Sequence, residues 1–327
     1  MCVTCMNWTY KSMQNTEYKI FSIVIPIFRS ELNIPQVLPK LKQLQEMLPD
    51  YALEVIFVDD GSPDNSFKLL LDAREKDPAI KLIKFSRNFG VPSGARAGLY
   101  YATGDCATFI APDLQDPPEL LVDMLKRWEN GKKVVIAVRE DREEPLSQKI
   151  VSNFFHFLMS KTTFKDYPKG GADLMVLDRD VLDQLNRIGE RNTNLLGLVL
   201  WLGYEKEYIY YTRKKREHGQ SSWTFSKKIK YFIDSFVAFS YAPVRFISLI
   251  GICTALLSFV YGALIFIQAL QGYTPVQGWS TLMIVLTLLC GIIMIMLGII
   301  GEYLWRILDE VRQRPPYIIE QKLMERS

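Results

Sequence analysis

The sequence predicts an α/β fold: a doubly wound, mostly parallel sheet that is followed by membrane-anchoring helices. Apolar, β-branched runs alternate with amphipathic helical patterns through roughly the first 240 residues, as in sheets that carry helices on both faces. The residues from 246 to 301 include no Asp, Glu, Lys or Arg. Because such an uncharged run cannot form a soluble surface, it predicts membrane insertion.

Four or five strand–helix units are expected in the soluble part. The predicted strands are Phe21–Pro26, Glu54–Val58, Lys81–Phe85, a strand that ends at Ala111, and Lys133–Val138. Predicted helices lie at about 33–48, after the Ser62-Pro63-Asp64 turn, and after Pro117. Three glycines, Gly90, Gly94 and Gly98, recur at a spacing of four and predict tight helix packing, with Gly90 alone suited to close approach of a ligand.

Acidic residues end two of these strands, and this is the first indication of a site. Asp59 and Asp60 follow the second strand, while Asp113 and Asp116 follow the fourth. Ligands of α/β sheets bind at the carboxyl ends of the strands, and carboxylates without Cys or His partners suit Mg²⁺ or Mn²⁺. A plainer interpretation is that the first pair caps a turn and that Asp116 is the N-cap of the next helix.

The chain has no G-x-G-x-x-G or P-loop motif, which excludes a nicotinamide or P-loop site.

The uncharged region predicts a transmembrane hairpin over residues 244–301, with spans at about 246–270 and 279–300. Each span is long enough to cross a bilayer core of about 30 Å. Basic residues flank the hairpin on both sides and are missing from its loop, so both termini are expected in the cytoplasm. Residues 225–243 mix lysines with phenylalanines in the pattern of an interfacial amphipathic helix.

Composition limits the remaining possibilities. A net charge of +3 is too small to indicate nucleic-acid binding, and five scattered cysteines imply no disulfide framework. We expect a polar tail at 1–20, a cytosolic α/β domain at 21–224, and a cytosolic helix and tail at 302–327. The polar tail at 1–20 lacks the apolar core of a signal peptide. Basic residues at 213–216 and 227–230 favour anionic headgroups or a phosphorylated lipid, although they also fit the positive-inside rule alone.

Several motifs together resemble a known family, the inverting family 2 glycosyltransferases. The resemblance is carried by S-I-V-I-P-I-F at 22–28, V-D-D-G-S at 58–62, S-R-N-F-G at 86–90, A-T-G-D at 102–105, D-L-Q-D-P-P-E at 113–119 and the late hairpin. Within the family the chain is similar to the polyprenyl-phosphate glycosyltransferases, from about residue 21 to 317. The resemblance implies a GT-A-like sheet in an integral protein of the bacterial cytoplasmic membrane.

The resemblance also implies residue roles. Asp113 and Gln115 would bind Mg²⁺ or Mn²⁺, and Asp113, Arg213 and Arg216 would be catalytic. The residues of the nucleotide and donor pocket would be Pro26, Phe28, Asp60, Arg87, Asn88, Gly90 and Asp173. Glu190, Arg191 and Ser221 would belong to the loop that contacts the diphosphate or the acceptor.

The chain departs from the family pattern at a few positions. Ala111 stands where the family has an acid that would make D-x-D with Asp113. Phe28-Arg29-Ser30 replaces the usual Tyr-Asn-Glu, and Val91 and Ser222 replace common lysines. These changes bear on the identity of the donor more than on the class of reaction.

The implied reaction transfers a sugar from a nucleotide sugar, with UDP-glucose favoured, to the phosphate of a membrane polyprenyl phosphate, with inversion. Three alternatives stay open: a catalytically impaired nucleotide-binding homologue, a transferase for an unusual sugar, and a membrane scaffold. A processive polysaccharide synthase is disfavoured because the chain lacks further spans and a Q-x-x-R-W segment. The oligomeric state, including a homo-oligomer, stays open as well.

Overall fold

The structure, a computed structural model, describes residues 18–112, 116–139, 167–168, 172–190, 194–212, 242–271 and 278–324. The chain divides into two compact units, of which one comprises Met1–Phe232 together with Pro315–Ser327 and the other Ile233–Arg314. The first unit contains a mixed sheet with helices on both faces, and the second contains two long helices.

Eight strands form the sheet of the first unit. They are β1 (Lys19–Ile27), β2 (Tyr51–Asp59), β3 (Lys81–Phe85), β4 (Cys106–Phe109), β5 (Val134–Arg139), β6 (Ala172–Asp178), β7 (Lys206–Tyr211) and β8 (Ile319–Leu323). Their spatial order is β7-β5-β6-β4-β1-β2-β3-β8. The pairs β1–β2, β1–β4, β2–β3 and β5–β7 are parallel.

The predicted α/β class is confirmed, but the predicted mostly parallel sheet is mixed, with four parallel and three antiparallel pairs among the described strands. Strand β6 lies antiparallel between β4 and β5, and β8 lies antiparallel beside β3, so the sheet is mixed. Apolar periodicity identifies a strand but carries no information about its direction, so the sequence could not predict these reversals.

The described residues of the first unit form the helices α1 (Ile34–Met47), α2 (Ser66–Lys76), α3 (Val91–Tyr101), α4 (Pro118–Glu129), α5 (Arg179–Arg187) and α6 (Leu195–Trp201). Helices α1 to α5 pack against the sheet, and α6 contacts α5. Helix α1 contacts α2 and α4 on one face, whereas α3 contacts α5 on the other. Because both faces are covered, β1 is buried from residue 21 to its end, and Ser22 is the one polar residue in that run. Each fully buried Ile or Phe in this core contributes roughly 1.5–3 kcal/mol.

Where the structure describes the second unit, it contains α7 (Ala242–Leu270) and α8 (Trp279–Val311). Within the described residues, one segment has the length and composition of a membrane-spanning helix: Leu288–Val311, 24 residues with a mean hydropathy of 2.1. The two-span hairpin predicted from the sequence is therefore not confirmed. Most of the predicted interfacial helix, residues 225–241, lies outside the described residues.

A buried polar network around Glu54 connects β1, β2, β3 and the segment before β4. Glu54, on β2, accepts hydrogen bonds from the Ser22 hydroxyl and from the Thr103 amide and hydroxyl, the last two at 2.7 and 2.6 Å, and pairs with Lys81. Gly104 donates its N–H to the Ser22 hydroxyl at 2.9 Å, and a Cβ at Gly104 would lie 2.5 Å from the Ile20 carbonyl oxygen. The A-T-G-D motif therefore has a structural role at the entry to β4.

Glu54 makes stability depend on pH. Burial by itself would raise the pKa of Glu54, but the bonds from Lys81, Ser22 and Thr103 outweigh burial and hold the pKa below its ordinary value. A lowered carboxyl pKa gives stabilisation that is complete above the unfolded value, about 4.3, and is lost as pH falls through the folded value.

We predict that Glu54→Gln lowers the free energy of unfolding at pH 7 by about 3 kcal/mol, because the buried ion pair loses one partner. The difference from the native protein should shrink as pH falls below about 4.3. Thermal unfolding in detergent between pH 3 and 8 measures both effects, with Glu75→Gln, on the exposed surface of α2, as the control of equal charge change. A constant difference across this pH range would contradict the role given to Glu54.

Candidate functional site

The loops that follow β1, β2 and β3 lie side by side at one edge of the sheet. They contain Phe28–Arg29, Asp60–Ser62 and Ser86–Gly90 respectively. The loops are bonded to each other: the Asp60 N–H donates to the Ile27 carbonyl at 2.9 Å, and the Arg29 N–H donates to the Ser62 hydroxyl oxygen at 3.1 Å. Because the three strands are parallel neighbours, their carboxyl ends form a single surface.

The carboxylate of Asp60 holds the loop after β3. Asp60 is 2% exposed, and its two oxygens accept the N–H groups of Phe89 at 2.6 Å and Gly90 at 2.8 Å. Burial raises the pKa of Asp60, and the two amide bonds oppose that rise. Hydrogen bonds to an ionised acceptor are stronger than neutral ones, so this single side chain anchors the last two residues of the loop, Phe89 and Gly90. We name the segment Ser86–Gly90 the donor loop, because the family resemblance predicts that Arg87, Asn88 and Gly90 line the donor pocket.

Two glycines allow the donor loop to approach β2 closely. Gly61 has φ +66°, and a Cβ there would lie 2.6 Å from the Arg87 carbonyl carbon. Gly90 has φ +95° at the start of α3. Both backbone conformations are ones that side-chain-bearing residues rarely adopt, so these loops need glycine at these positions.

Asp59 is buried beside Asp60 but bonds within its own turn. Its carboxylate accepts the Ser62 N–H at 3.2 Å, and burial raises the pKa of Asp59 despite that bond. The turn-capping interpretation of the acid pair thus describes Asp59, whereas Asp60 connects two loops.

Helix α3 joins the donor loop to the sheet. Gly94 and Gly98 face β1, where a Cβ on Gly94 would come within 3.0 Å of Pro26 and one on Gly98 would collide with Val24. The tight packing predicted from the glycine spacing is therefore observed. Pro26 is buried under this helix, while Phe28 beyond it is 37% exposed.

Arg96, on α3, is a positioning residue that the sequence did not indicate. Its guanidinium donates to the carbonyls of Ile188 and Glu190, in the segment after α5. This contact places the predicted acceptor residue Glu190 next to the helix that begins at the donor loop. No local pattern signals it, because the partners are more than ninety positions apart.

The segment after β4 reaches the same edge of the sheet. Ile110 donates its N–H to the Val24 carbonyl at 2.9 Å, and Ala111 follows it half-buried. The interpretation of Asp116 as an N-cap is wrong: α4 begins at Pro118 without a side-chain cap, and Asp116 instead accepts the Tyr211 hydroxyl at 2.7 Å. Burial and Asp116 raise the pKa of Tyr211 to about 12, so its hydroxyl stays a donor at physiological pH.

The exposed part of the site is aromatic and cationic. Arg87 and Asn88 are exposed on the donor loop, and the Arg87 guanidinium lies 4.6 Å from the centre of the Phe89 ring. The Arg29 guanidinium lies 5.3 Å from the centre of the Phe28 ring. Such a surface can stack a planar ring and attract an anion.

The structure describes no side chain for the remaining predicted site residues. Six lie outside the described residues: Asp113, Gln115, Arg191, Arg213, Arg216 and Ser221. Asp173 lies in β6, where only its backbone is described. No group of three or more His, Cys, Asp or Glu residues suited to a metal occurs in the part of the chain that the structure describes. The metal site predicted at Asp113 and Gln115 stays a prediction.

Sequence comparisons identify relatives along nearly the whole chain. The profile of Glycosyl transferase family 2 matches residues 22–186. An uncharacterized glycosyltransferase, YkcC of Bacillus subtilis (strain 168), is 36% identical over 302 residues, 92% of this chain and 93% of its own. The bactoprenol glucosyl transferase of Shigella phage SfII is 32% identical over 301 residues, 92% of this chain and 97% of its own.

Solved structures show a weaker likeness. The mannosyltransferase PcManGT of Pyrobaculum calidifontis, solved with GDP-Man and Mn²⁺, is 16% identical, covers 62% of this chain and 58% of its own, and has a TM-score of 0.43.

We predict that Asp60→Asn loosens the donor loop. The amide side chain would present an NH₂ group to one of the two backbone N–H donors, and losing that bond speeds local hydrogen exchange roughly tenfold. Exchange mass spectrometry of the peptide spanning residues 86–94 measures this. Asp72→Asn, exposed on α2, is the control. Unchanged exchange in Asp60→Asn would rule out the anchoring role.

We predict that Arg96→Met releases the segment after α5. Removing the guanidinium leaves two carbonyls without a charged donor, which favours local opening by roughly 5- to 30-fold. Tryptic cleavage after Arg187 in the folded protein should accelerate accordingly.

Arg74→Met is the matched control, because Arg74 also donates to two loop carbonyls, those of Pro78 and Ile80, in a different part of the domain. Equal acceleration in both variants would mean that the effect is general destabilisation.

Proposed function

The chain belongs to Glycosyl transferase family 2 and is a glycosyltransferase, and from this premise we propose that its acceptor is the phosphate of a membrane polyprenyl phosphate. The proposed reaction moves a sugar from a nucleotide diphosphate sugar to that phosphate, with inversion at the anomeric carbon. UDP-glucose is the donor we favour.

One observation carries this proposal. The bactoprenol glucosyl transferases of Shigella flexneri and of the Shigella phages SfII and SfV match over more than nine tenths of both chains. The match therefore extends beyond the catalytic domain into the apolar helices. Bactoprenol is a polyprenol, and an acceptor of this kind stays in the bilayer. The apolar segment Leu288–Val311 supports a membrane location for this chain.

The donor is proposed to bind at the edge formed by the loops after β1, β2 and β3. Phe28 offers an exposed ring, and Arg29 and Arg87 supply positive charge for a diphosphate. The other residues proposed for this pocket are Pro26, Asp60, Asn88, Gly90 and Asp173. Asp60 would act through the donor loop, since both its oxygens are bonded to the amides of that loop.

The acceptor needs little activation. A phosphate monoester has a second pKa of about 6, so at neutral pH it is mostly a dianion and already a nucleophile. The larger requirement is to stabilise negative charge on the departing nucleotide diphosphate. We assign that task to Arg213 and Arg216, with Ser221 in the same loop. Glu190 and Arg191 are proposed to border the sugar and the acceptor. Asp113 and Gln115 would hold Mg²⁺ or Mn²⁺, which supplies Lewis-acid stabilisation of the diphosphate when bound.

The membrane arrangement is part of the proposal. Two spans at about 246–270 and 279–300 would place both termini on the cytoplasmic face of a bacterial inner membrane. The amphipathic segment 225–243 would hold the site near the headgroups, so the lipid phosphate reaches the donor while its tail stays in the bilayer.

A catalytically impaired homologue is the second candidate, because Ala111 replaces an acid of the family pattern. Such a protein would bind the nucleotide and not turn it over. The two candidates differ in whether a sugar-bearing lipid is formed.

We expect purified protein with polyprenyl phosphate and Mg²⁺ or Mn²⁺ to form a glycosylated lipid from one member of a panel of UDP-, GDP- and dTDP-sugars. Mass spectrometry detects the product and names the donor. Nucleotide binding with no product from any donor would favour the impaired homologue.

We predict that Asp113→Ala lowers turnover roughly 100-fold or more and that EDTA abolishes product formation, because the diphosphate loses its charge stabilisation. Asp123→Ala, an exposed acid on α4, is the control and should keep native turnover. Full activity of Asp113→Ala in the presence of EDTA would exclude the metal-assisted mechanism.

A further inference from the structure

The carboxy-terminal segment of the chain returns to the first unit and forms an edge of its sheet. Residues 315–323, which we name the strap, follow α8 in sequence and include β8. Strand β8 pairs antiparallel with β3, from Leu82–Leu323 to Phe85–Ile319, with an irregularity between Lys84 and Phe85. The strap thus lies on the strand that leads directly into the donor loop.

Polar contacts connect the strap to β3, to the first residue of the donor loop and to α3. The Ser86 N–H donates to the Ile318 carbonyl at 3.0 Å, so the first residue of the donor loop is bonded to the strap. Lys84 pairs with Glu320 at 2.8 Å, and the Lys322 ammonium lies 4.7 Å from the centre of the Tyr101 ring. These contacts tie the strap to β3 and to α3.

An aromatic stack continues from the strap into the donor loop. The rings of Tyr317 and Phe85 are stacked, with centroids 5.0 Å apart and planes at 10°. Phe85 is fully buried and meets Phe89 edge to face at 5.8 Å. Phe89 is the residue whose N–H donates to Asp60. Two ring contacts therefore connect Tyr317 to the anchor of the donor loop.

Tyr317 acts here as a neutral ring. Burial, together with Tyr101 and Tyr100, raises the pKa of Tyr317 to about 12, against the opposing effect of Arg96. Its hydroxyl therefore stays protonated throughout the pH range in which the protein is assayed. Its effect on the donor loop must come from packing and not from a change of charge.

We propose that Tyr317 is a positioning residue for the donor site, through which the strap holds the donor loop in the geometry that binds the nucleotide. The ligand named here rests on the proposed function, whereas the effect on the loop does not. The strap, which follows the apolar helices in sequence, would thus affect the affinity for the donor. The motifs within residues 22–186 do not include it.

The first test uses the full-length protein without ligand. Tyr317→Ala should speed hydrogen exchange in the peptide spanning residues 86–94 by roughly 2- to 10-fold, the range expected for a lost aromatic contact, and Tyr317→Phe should restore native exchange. Tyr317→Leu keeps an apolar side chain without the stack and replaces the alanine variant if that variant does not fold; it should also show faster exchange.

Tyr51→Ala is the matched control. Tyr51 is buried and pairs with Trp128 at 6.4 Å, but it begins β2 and so lies at the opposite end of the sheet. It should lose overall stability without a selective change at residues 86–94. Exchange of that peptide that is selectively faster in the Tyr51 variant, relative to the rest of the domain, would overturn the proposal. Native exchange in both Tyr317→Ala and Tyr317→Leu would overturn it as well.

The second test separates binding from chemistry. With the donor identified by the sugar panel, Tyr317→Ala should raise KM for the donor roughly 3- to 10-fold while kcat changes less than about twofold, with rescue by Tyr317→Phe. A fall in kcat at unchanged KM would overturn the positioning role. If the native protein makes no product from any donor, the proposed function fails while the exchange result still decides whether the strap holds the loop.

Discussion

The carboxylate of Asp60 is the contact on which the candidate site depends. Its two bonds to the Phe89 and Gly90 amides connect the end of β2 to the loop after β3. Gly61 allows the donor loop to pass close to β2, and Gly90 ends the loop and begins α3. The apolar end of the same loop is packed against Phe85. The buried carboxylate of Asp60 and the buried ring of Phe85 thus position the exposed residues of the loop.

The two ends of β2 use buried carboxylates in different ways. Glu54, in its amino-terminal half, has Lys81 as a partner and a lowered pKa, and its network stabilises the sheet. At the carboxyl end, Asp60 has only backbone amides as described partners, and burial raises its pKa. Removing water from a carboxylate that has no described cation partner is unfavourable, and the two amide bonds offset part of that cost.

Much of the fold could be predicted because β1 to β5 are mainly apolar runs bounded by turn residues. Glycine spacing also predicted the packing of α3, and the motifs predicted the family. What could not be predicted depends on contacts between distant positions: the direction of β6, the addition of β8 to β3, and the hold of Arg96 on the segment after α5. The local pattern of apolar and polar residues predicts whether a residue is buried. It does not predict which residue, distant in sequence, that residue contacts.

The most direct test of this account is a structure of the full chain with its donor nucleotide bound, determined by cryo-electron microscopy in lipid nanodiscs. The account predicts the nucleotide at the edge formed by Phe28, the Asp60–Ser62 turn and the donor loop, with the Asp60 bonds to Phe89 and Gly90 intact. A nucleotide bound elsewhere on the domain, or a donor loop detached from Asp60 in the complex, would contradict it.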